Sequence, residues 1–240
     1  MLEAVLFDWG DTLMEFAYDP ELVAAGQRAG LQAIGAERLS EGDAVTEHFR
    51  DRYEPLFWAP GTIEEIEYPG LVRQLLADFD ITVDEEQLGR FLEAEHAAWE
   101  PARRLARDTH ALLESLRERG LKLALVSNAF DPGWLLHRDL EQMGIAERLD
   151  FAVFSSEVGK RKPHPTIFER ALDALGVEPG RALFVGDRLY EDVRGSGELG
   201  MTTVQALWFR ADEHPDGREP DHRAFTMLDV LNVVRRLVSG

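Results

Sequence analysis

The 240-residue chain contains no cysteine, so disulfides, thiolate nucleophiles and Cys-ligated zinc are excluded. Long apolar runs are also missing. None approaches the roughly 20 residues needed to cross a bilayer, and Asp8 interrupts the first apolar stretch, so neither a spanning helix nor a signal-peptide core is expected. Positive charge is scarce: 26 Lys and Arg stand against 45 Asp and Glu, for a net charge of −19. Nonspecific binding to phosphate backbones needs clustered Lys and Arg. The expectation is therefore a cytoplasmic protein with no nucleic-acid or membrane partner, either a monomer or a homodimer. At 45% hydrophobic and 30% charged residues, the composition is that of an ordinary globular chain. Its length suits one domain with a substantial insertion or two modest domains.

Four short apolar runs read as buried parallel strands: Ala4 to Phe7, Lys122 to Val126, Phe151 to Phe154 and Ala182 to Val185. Helical spacing follows in Trp134 to Met143 and Thr166 to Leu175, each stopped by a glycine, and precedes the second strand in Thr109 to Arg119. Alternation of this kind predicts βαβ units, an α/β fold with a Rossmann-like, doubly wound parallel sheet. Residues 1–14 and 101–240 form the expected core. The segment 15–100 shows no obvious strand and reads as an inserted α-helical cap, with capping boxes at Thr62-x-x-Glu65 and Thr82-x-x-Glu85. It holds 20 acidic residues against six arginines and no lysine, so most of the acidity belongs to this segment. Solvated helix faces explain that charge, or a surface selective for a cationic partner does.

Chemistry-bearing residues collect at the ends of the expected strands. Asp8 ends the first, Ser127 and Asn128 the second, and Asp187 the fourth, with Asp192 five residues on. Ligands of open α/β sheets bind outside the carboxyl ends of the strands, so acids there are well placed for chemistry. Three carboxylates in one small site raise one another's pKa unless a cation neutralises them, which points to a divalent metal. Lys162 precedes Pro163 in a basic stretch ahead of a helix start, a region that favours anions.

In this order the motifs resemble those of the haloacid dehalogenase-like superfamily: Asp8 to Leu13, Ser127, Lys162-Pro163, and Gly186-Asp187 through Asp192. The segment 15–100 is similar to that superfamily's helical C1 cap. The resemblance implies a magnesium-dependent hydrolase of phosphatase type acting on a small phosphorylated metabolite through a covalent aspartyl-phosphate on Asp8. It implies that Ser127 and Lys162 hold phosphoryl oxygens, with Asn128 nearby. Mg2+ would be held by Asp8, the Gly10 backbone carbonyl, Asp187 and Asp192, the last directly or through water.

Gly10 departs from the pattern. Family phosphatases usually carry a second Asp two residues after the nucleophile, which protonates the leaving group and later activates water. Here that position has no side chain, which disfavours alkyl phosphates and favours activated leaving groups. Asp11 is either a displaced acid/base, reached through an altered turn, or a brace for that turn. Two other readings stay open: a metal-independent 2-haloacid dehalogenase, which the acidic pair Asp187 and Asp192 fits poorly, and a catalytically impaired binding protein for a phosphate ligand. A phosphonoacetaldehyde hydrolase would need a cap lysine, which is absent. Arg28, Arg50, Arg52 and Arg73 are candidates for an anionic substrate tail, and Tyr53, Phe57 and Trp58 for a pocket lining. His164, between two prolines, reads as a turn residue.

Overall fold

The structure, a computed structural model, describes residues 1–57 and 62–239. In chain order its strands are β1 (Ala4–Phe7), β2 (Met14–Phe16), β3 (Arg103–Leu105), β4 (Lys122–Ser127), β5 (Phe151–Phe154), β6 (Ala182–Gly186), β7 (Thr202–Ala206) and β8 (His222–Ala224). Six of them form one parallel sheet in the order β5-β4-β1-β6-β7-β8. Phe7 lies opposite both Leu125 and Val185, so the chain leaves β1, β4 and β6 at the same edge. That register brings positions 8, 127 and 187 together.

The four apolar runs are strands, as expected, and each sheet face is buried. Val5 and Phe7 pack toward Leu112, Leu113 and Leu116 of the helix Thr109–Arg117, while Ala4 and Leu6 pack toward Ile167, Phe168 and Ala171 of the helix Pro165–Leu175. β7 and β8 have no apolar run to announce them. Thr203 and Gln205 are buried polar residues in β7; Thr203 is satisfied by Asp221, and Gln205 donates to the carbonyls of Asp187 and Asp212.

Four longer helices, Pro20–Ala33, Ala44–Arg52, Tyr68–Ala77 and Glu85–Ala98, surround a separate apolar core that includes Leu31, Phe49, Val72, Leu75 and Phe91. A Cβ on Gly30 would stand 2.7 Å from the Phe91 ring, so glycine is what lets the first and last of these helices approach closely. The insertion is not strandless: β2 begins at Met14 and pairs antiparallel with β3, tying the helical segment to the sheet through a two-stranded ribbon.

Both expected capping boxes are displaced. The Asp84 carboxylate, in extended backbone, accepts from the Gln87 amide at 2.8 Å and forms the box that Thr82 was expected to make. Around Thr62 no helix starts. Glu65 instead spends its carboxylate on Ser155 and faces Arg161 at 3.6 Å, and residues 63–65 pair in extended form with 159–161. The following helix is capped by Glu67. No described helix is long and apolar enough to cross a membrane.

Candidate active site

Lys162 organises the site. Its ammonium donates to Asp8 Oδ1 at 2.6 Å, to Asp192 Oδ1 at 2.6 Å and to the Val126 carbonyl at 2.9 Å, in a position only 3% exposed. Burial lowers its pKa, but the facing charges of Asp192 and Asp8 outweigh that and hold the ammonium above its ordinary value. Asn128 fixes the lysine's backbone from both sides: its Oδ1 accepts from the Lys162 amide at 2.7 Å, and its Nδ2 donates to the Lys162 carbonyl at 3.3 Å. Each bond uses one of two hydrogen-bonding positions on its atom, so Asn128 positions the lysine backbone while also lining the cleft.

Asp8, Asp187 and Asp192 each offer an oxygen within 4.8 Å of the others, and all three residues are buried. Asp192 rides on a π-helical turn, Leu189–Arg194, where Oδ2 accepts from the Arg188 amide at 2.9 Å. Gly186 makes room for it, since a Cβ there would lie 2.4 Å from the Asp192 carboxyl carbon. Burial is the largest cause raising both Asp187 and Asp192 above the usual carboxylate range, and the charge of Asp8 adds to it. Asp187 Oδ2 accepts from Arg210 Nε at 2.6 Å, but Oδ1 is buried with no hydrogen-bond partner among the described residues. An orphaned carboxylate oxygen beside two more carboxylates is the donor set that a hard divalent cation takes. These residues could therefore hold Mg2+.

The cluster opens into a cleft of about 530 Å³ between the sheet edge and the helical segment. Asp8, Gly10, Asp11, Ser127, Asn128, Lys162 and Asp192 all line it. Asp11 has a left-handed backbone (φ 55°), accepts from the Phe16 amide at 3.2 Å and faces Arg210 Nε at 3.4 Å. That is the geometry of a turn brace. Gly10 leaves open space, for a Cβ there would meet nothing within 4 Å.

The four arginines proposed for a substrate tail are placed elsewhere. Arg50 donates to the Pro20 carbonyl at 2.8 Å, Arg28 faces Asp43, Arg52 faces Asp78, and Arg73 pairs with Glu85 and the Val83 carbonyl. None lines the cleft; Arg103, Arg161, Arg188 and Arg210 do. No strand end or motif marked Arg210, whose role follows only from the pairing of β7 with β6. Phe57 lines the cleft, Tyr53 is tied to Asp78 at 2.6 Å, and Trp58 lies outside the described residues. His164 caps the helix Pro165–Leu175 by accepting from the Thr166 amide.

Comparison with known proteins agrees with this geometry. Residues 2–200 match the family model for haloacid dehalogenase-like hydrolases. The chain is 30% identical to a glyceraldehyde 3-phosphate phosphatase of Methanopyrus kandleri over 99% of both chains. It is also 30% identical to a phosphoserine phosphatase of Thermus thermophilus, over 96% of this chain and 98% of that one. Among solved structures, a 2-haloacid dehalogenase from Pseudomonas syringae superposes with a TM-score of 0.69 at 21% identity, covering 99% of this chain and 100% of that one. A HAD phosphatase from Thermococcus onnurineus gives 0.62 at 24%, covering 97% and 98%. At those identities the structural likeness speaks for the fold alone. With the family model spanning four of the six sheet strands, the helical insertion and the acid cluster, the chain belongs to the haloacid dehalogenase-like hydrolases and is an enzyme of that family.

Proposed function

We propose that the enzyme is a magnesium-dependent phosphatase of a small phosphorylated metabolite, working through an aspartyl-phosphate on Asp8. The observation that carries this reading is Lys162 bridging Asp8 and Asp192 at 2.6 Å each, beside the orphaned oxygen of Asp187. Two relatives aligned over nearly the whole chain are named as phosphatases, which supports it. The acidic pair Asp187 and Asp192 converging on Asp8 fits a metal-independent dehalogenase poorly.

In this reading an Asp8 oxygen attacks phosphorus, the bond from phosphorus to the leaving oxygen breaks, and an acyl phosphate forms. Water then attacks phosphorus, restoring the carboxylate and releasing inorganic phosphate. Lys162 and Ser127 hold phosphoryl oxygens as charge develops on them. Asp8, Asp187, Asp192 and the Gly10 carbonyl would hold Mg2+, which when bound would supply positive charge to offset that of the transferring group. Arg210 and Gln205 position Asp187, one through its carboxylate and the other through its carbonyl. Gly10 offers no proton to the departing oxygen, so acyl and aryl phosphates should react faster than alkyl esters.

The test is a phosphate-release screen over small alkyl, aryl and acyl phosphates, with and without Mg2+, on the wild type and Asp8→Asn. Turnover that requires both Mg2+ and Asp8 is expected. Chelator-insensitive halide release would favour the dehalogenase, and tight Mg2+-dependent ligand binding without any turnover would favour a binding protein.

A further inference from the structure

Among the residues that line the cleft, Glu95 on the helix Glu85–Ala98 is only 6% exposed, and its Oε2 has no hydrogen-bond partner among the described residues. The Tyr68 hydroxyl lends it a hydrogen bond, yet burial dominates and pushes the carboxyl up to about 8, with the charge of Asp131 adding to the effect. Cations close by are already committed. His96 is held between Asp131 at 3.0 Å and Asp139 at 2.9 Å, and Arg103 is bound to Asp139 and to the His96 carbonyl. A buried carboxylate with no cation of its own is costly unless a proton or a positive ligand neutralises it. Aromatic rings line the cleft beside it: Phe16 stacks on Trp99 with centroids 5.9 Å apart, and Tyr18 packs on the same indole at 6.0 Å. Phe16 and Tyr18 are nevertheless 39% and 47% exposed.

We propose that this wall is a subsite for an organic cation, so that the substrate is a phosphate compound whose leaving portion carries a positively charged nitrogen. Glu95 is the counter-ion and the cluster of Phe16, Tyr18 and Trp99 the aromatic wall, since aromatic faces attract ammonium groups through their quadrupole. The acidity of segment 15–100, 20 acids against six arginines, draws the same class of ligand. A cationic tail takes the place of the proton that the buried Glu95 carboxyl otherwise keeps, and a neutral tail makes no such exchange. This inference rests on the phosphatase reading for the other end of the cleft.

O-phosphoethanolamine and 2-hydroxyethyl phosphate are similar in size and differ in the terminal charge. For the wild type with Mg2+, kcat/KM should favour O-phosphoethanolamine by at least about tenfold, mostly through KM. Calorimetric binding to Asp8→Asn should show the same ratio. Glu95→Gln should bring both ratios near one, while Glu95→Asp retains part of the preference. Equal binding of the two compounds in the Glu95-intact protein overturns the subsite, whatever happens to the variants. Ammonium-selective binding to Asp8→Asn, combined with no wild-type turnover of any phosphate compound, would instead overturn the phosphatase reading and leave the subsite standing.

Discussion

Replacing Gly10 with aspartate puts a proton donor where the site has none. A Cβ at this position meets no atom within 4 Å, and the backbone is not in the left-handed region, so the side chain enters the cleft without strain. It arrives in the cleft that Asp8 also lines, where a nearby carboxylate makes the new carboxyl hold its proton more tightly. That favours action as an acid near neutral pH. A positioned general acid is worth about 10²–10⁴ in rate. A Cβ at position 10 meets no neighbour among the described residues to orient the new carboxyl, so the low end applies: about 10²-fold, or roughly 2.7 kcal/mol of barrier, for alkyl phosphates. For p-nitrophenyl phosphate, whose leaving group departs without a proton, the change should stay within about threefold. The assay is kcat/KM at saturating Mg2+ across leaving groups of increasing basicity, with Gly10→Asn to separate proton transfer from polarity. Rate should depend less steeply on leaving-group basicity in Gly10→Asp. An unchanged dependence, or equal gains for every substrate and for Gly10→Asn, would refute the reasoning.

Other perturbations bear on the same frame. Asp11→Asn keeps an acceptor for the Phe16 amide and tolerates the left-handed backbone, so kcat for alkyl phosphates should change less than about threefold; a hundredfold loss would make Asp11 the acid after all. Gly186→Ala places a methyl 2.4 Å from the Asp192 carboxyl carbon, and displacing that carboxylate should cost about 10² in kcat and weaken activation in an Mg2+ titration. Lys162→Met leaves the buried carboxylates without their shared cation and should cost about 3–5 kcal/mol in urea unfolding, with partial recovery on adding Mg2+; an unchanged midpoint contradicts its organising role. Because burial raises the Glu95 carboxyl from 4.5 to about 8, the folded protein keeps a proton that the unfolded chain releases in that range. Metal-free stability must then fall as pH rises from about 4.5 to about 8, and the melting temperature of the wild type relative to Glu95→Gln should decline across that window; a pH-independent difference excludes the shift.

How much of this was legible beforehand follows from where the determinants lie in the chain. Asp8, Ser127 and Asp187 each end an apolar run, so the strand and the functional side chain are written in adjacent residues. Asp192 is equally local, held by the amide of Arg188. β7 and β8 carry no such signal, because Thr203 and Gln205 are buried with polar partners that come from distant segments. Arg210 was hidden for the same reason: its contact with Asp187 exists only once β7 lies beside β6. The cap arginines misled for a simpler reason. Charge alone made them candidates, and each is neutralised or hydrogen-bonded by its own segment.

The two ends of the cleft therefore answer to different constraints. At the phosphate end, register decides: Phe7 opposite Leu125 and Val185 sets Asp8 beside the ends of β4 and β6 through strands whose apolar side chains are wholly buried, so a change there disturbs core and chemistry together. At the other end, Glu95 and Trp99 sit at the close of one helix whose own packing relies on Phe91 and Leu88. Their side chains can be exchanged without moving the bonds made by Lys162. Selection of the leaving portion is thus separable from phosphoryl transfer, and a Glu95 variant should alter which compounds are accepted while leaving the requirement for Asp8 intact. If Glu95→Gln instead lowered turnover of every phosphate compound by one common factor, the two ends would be coupled and this division of labour would fail.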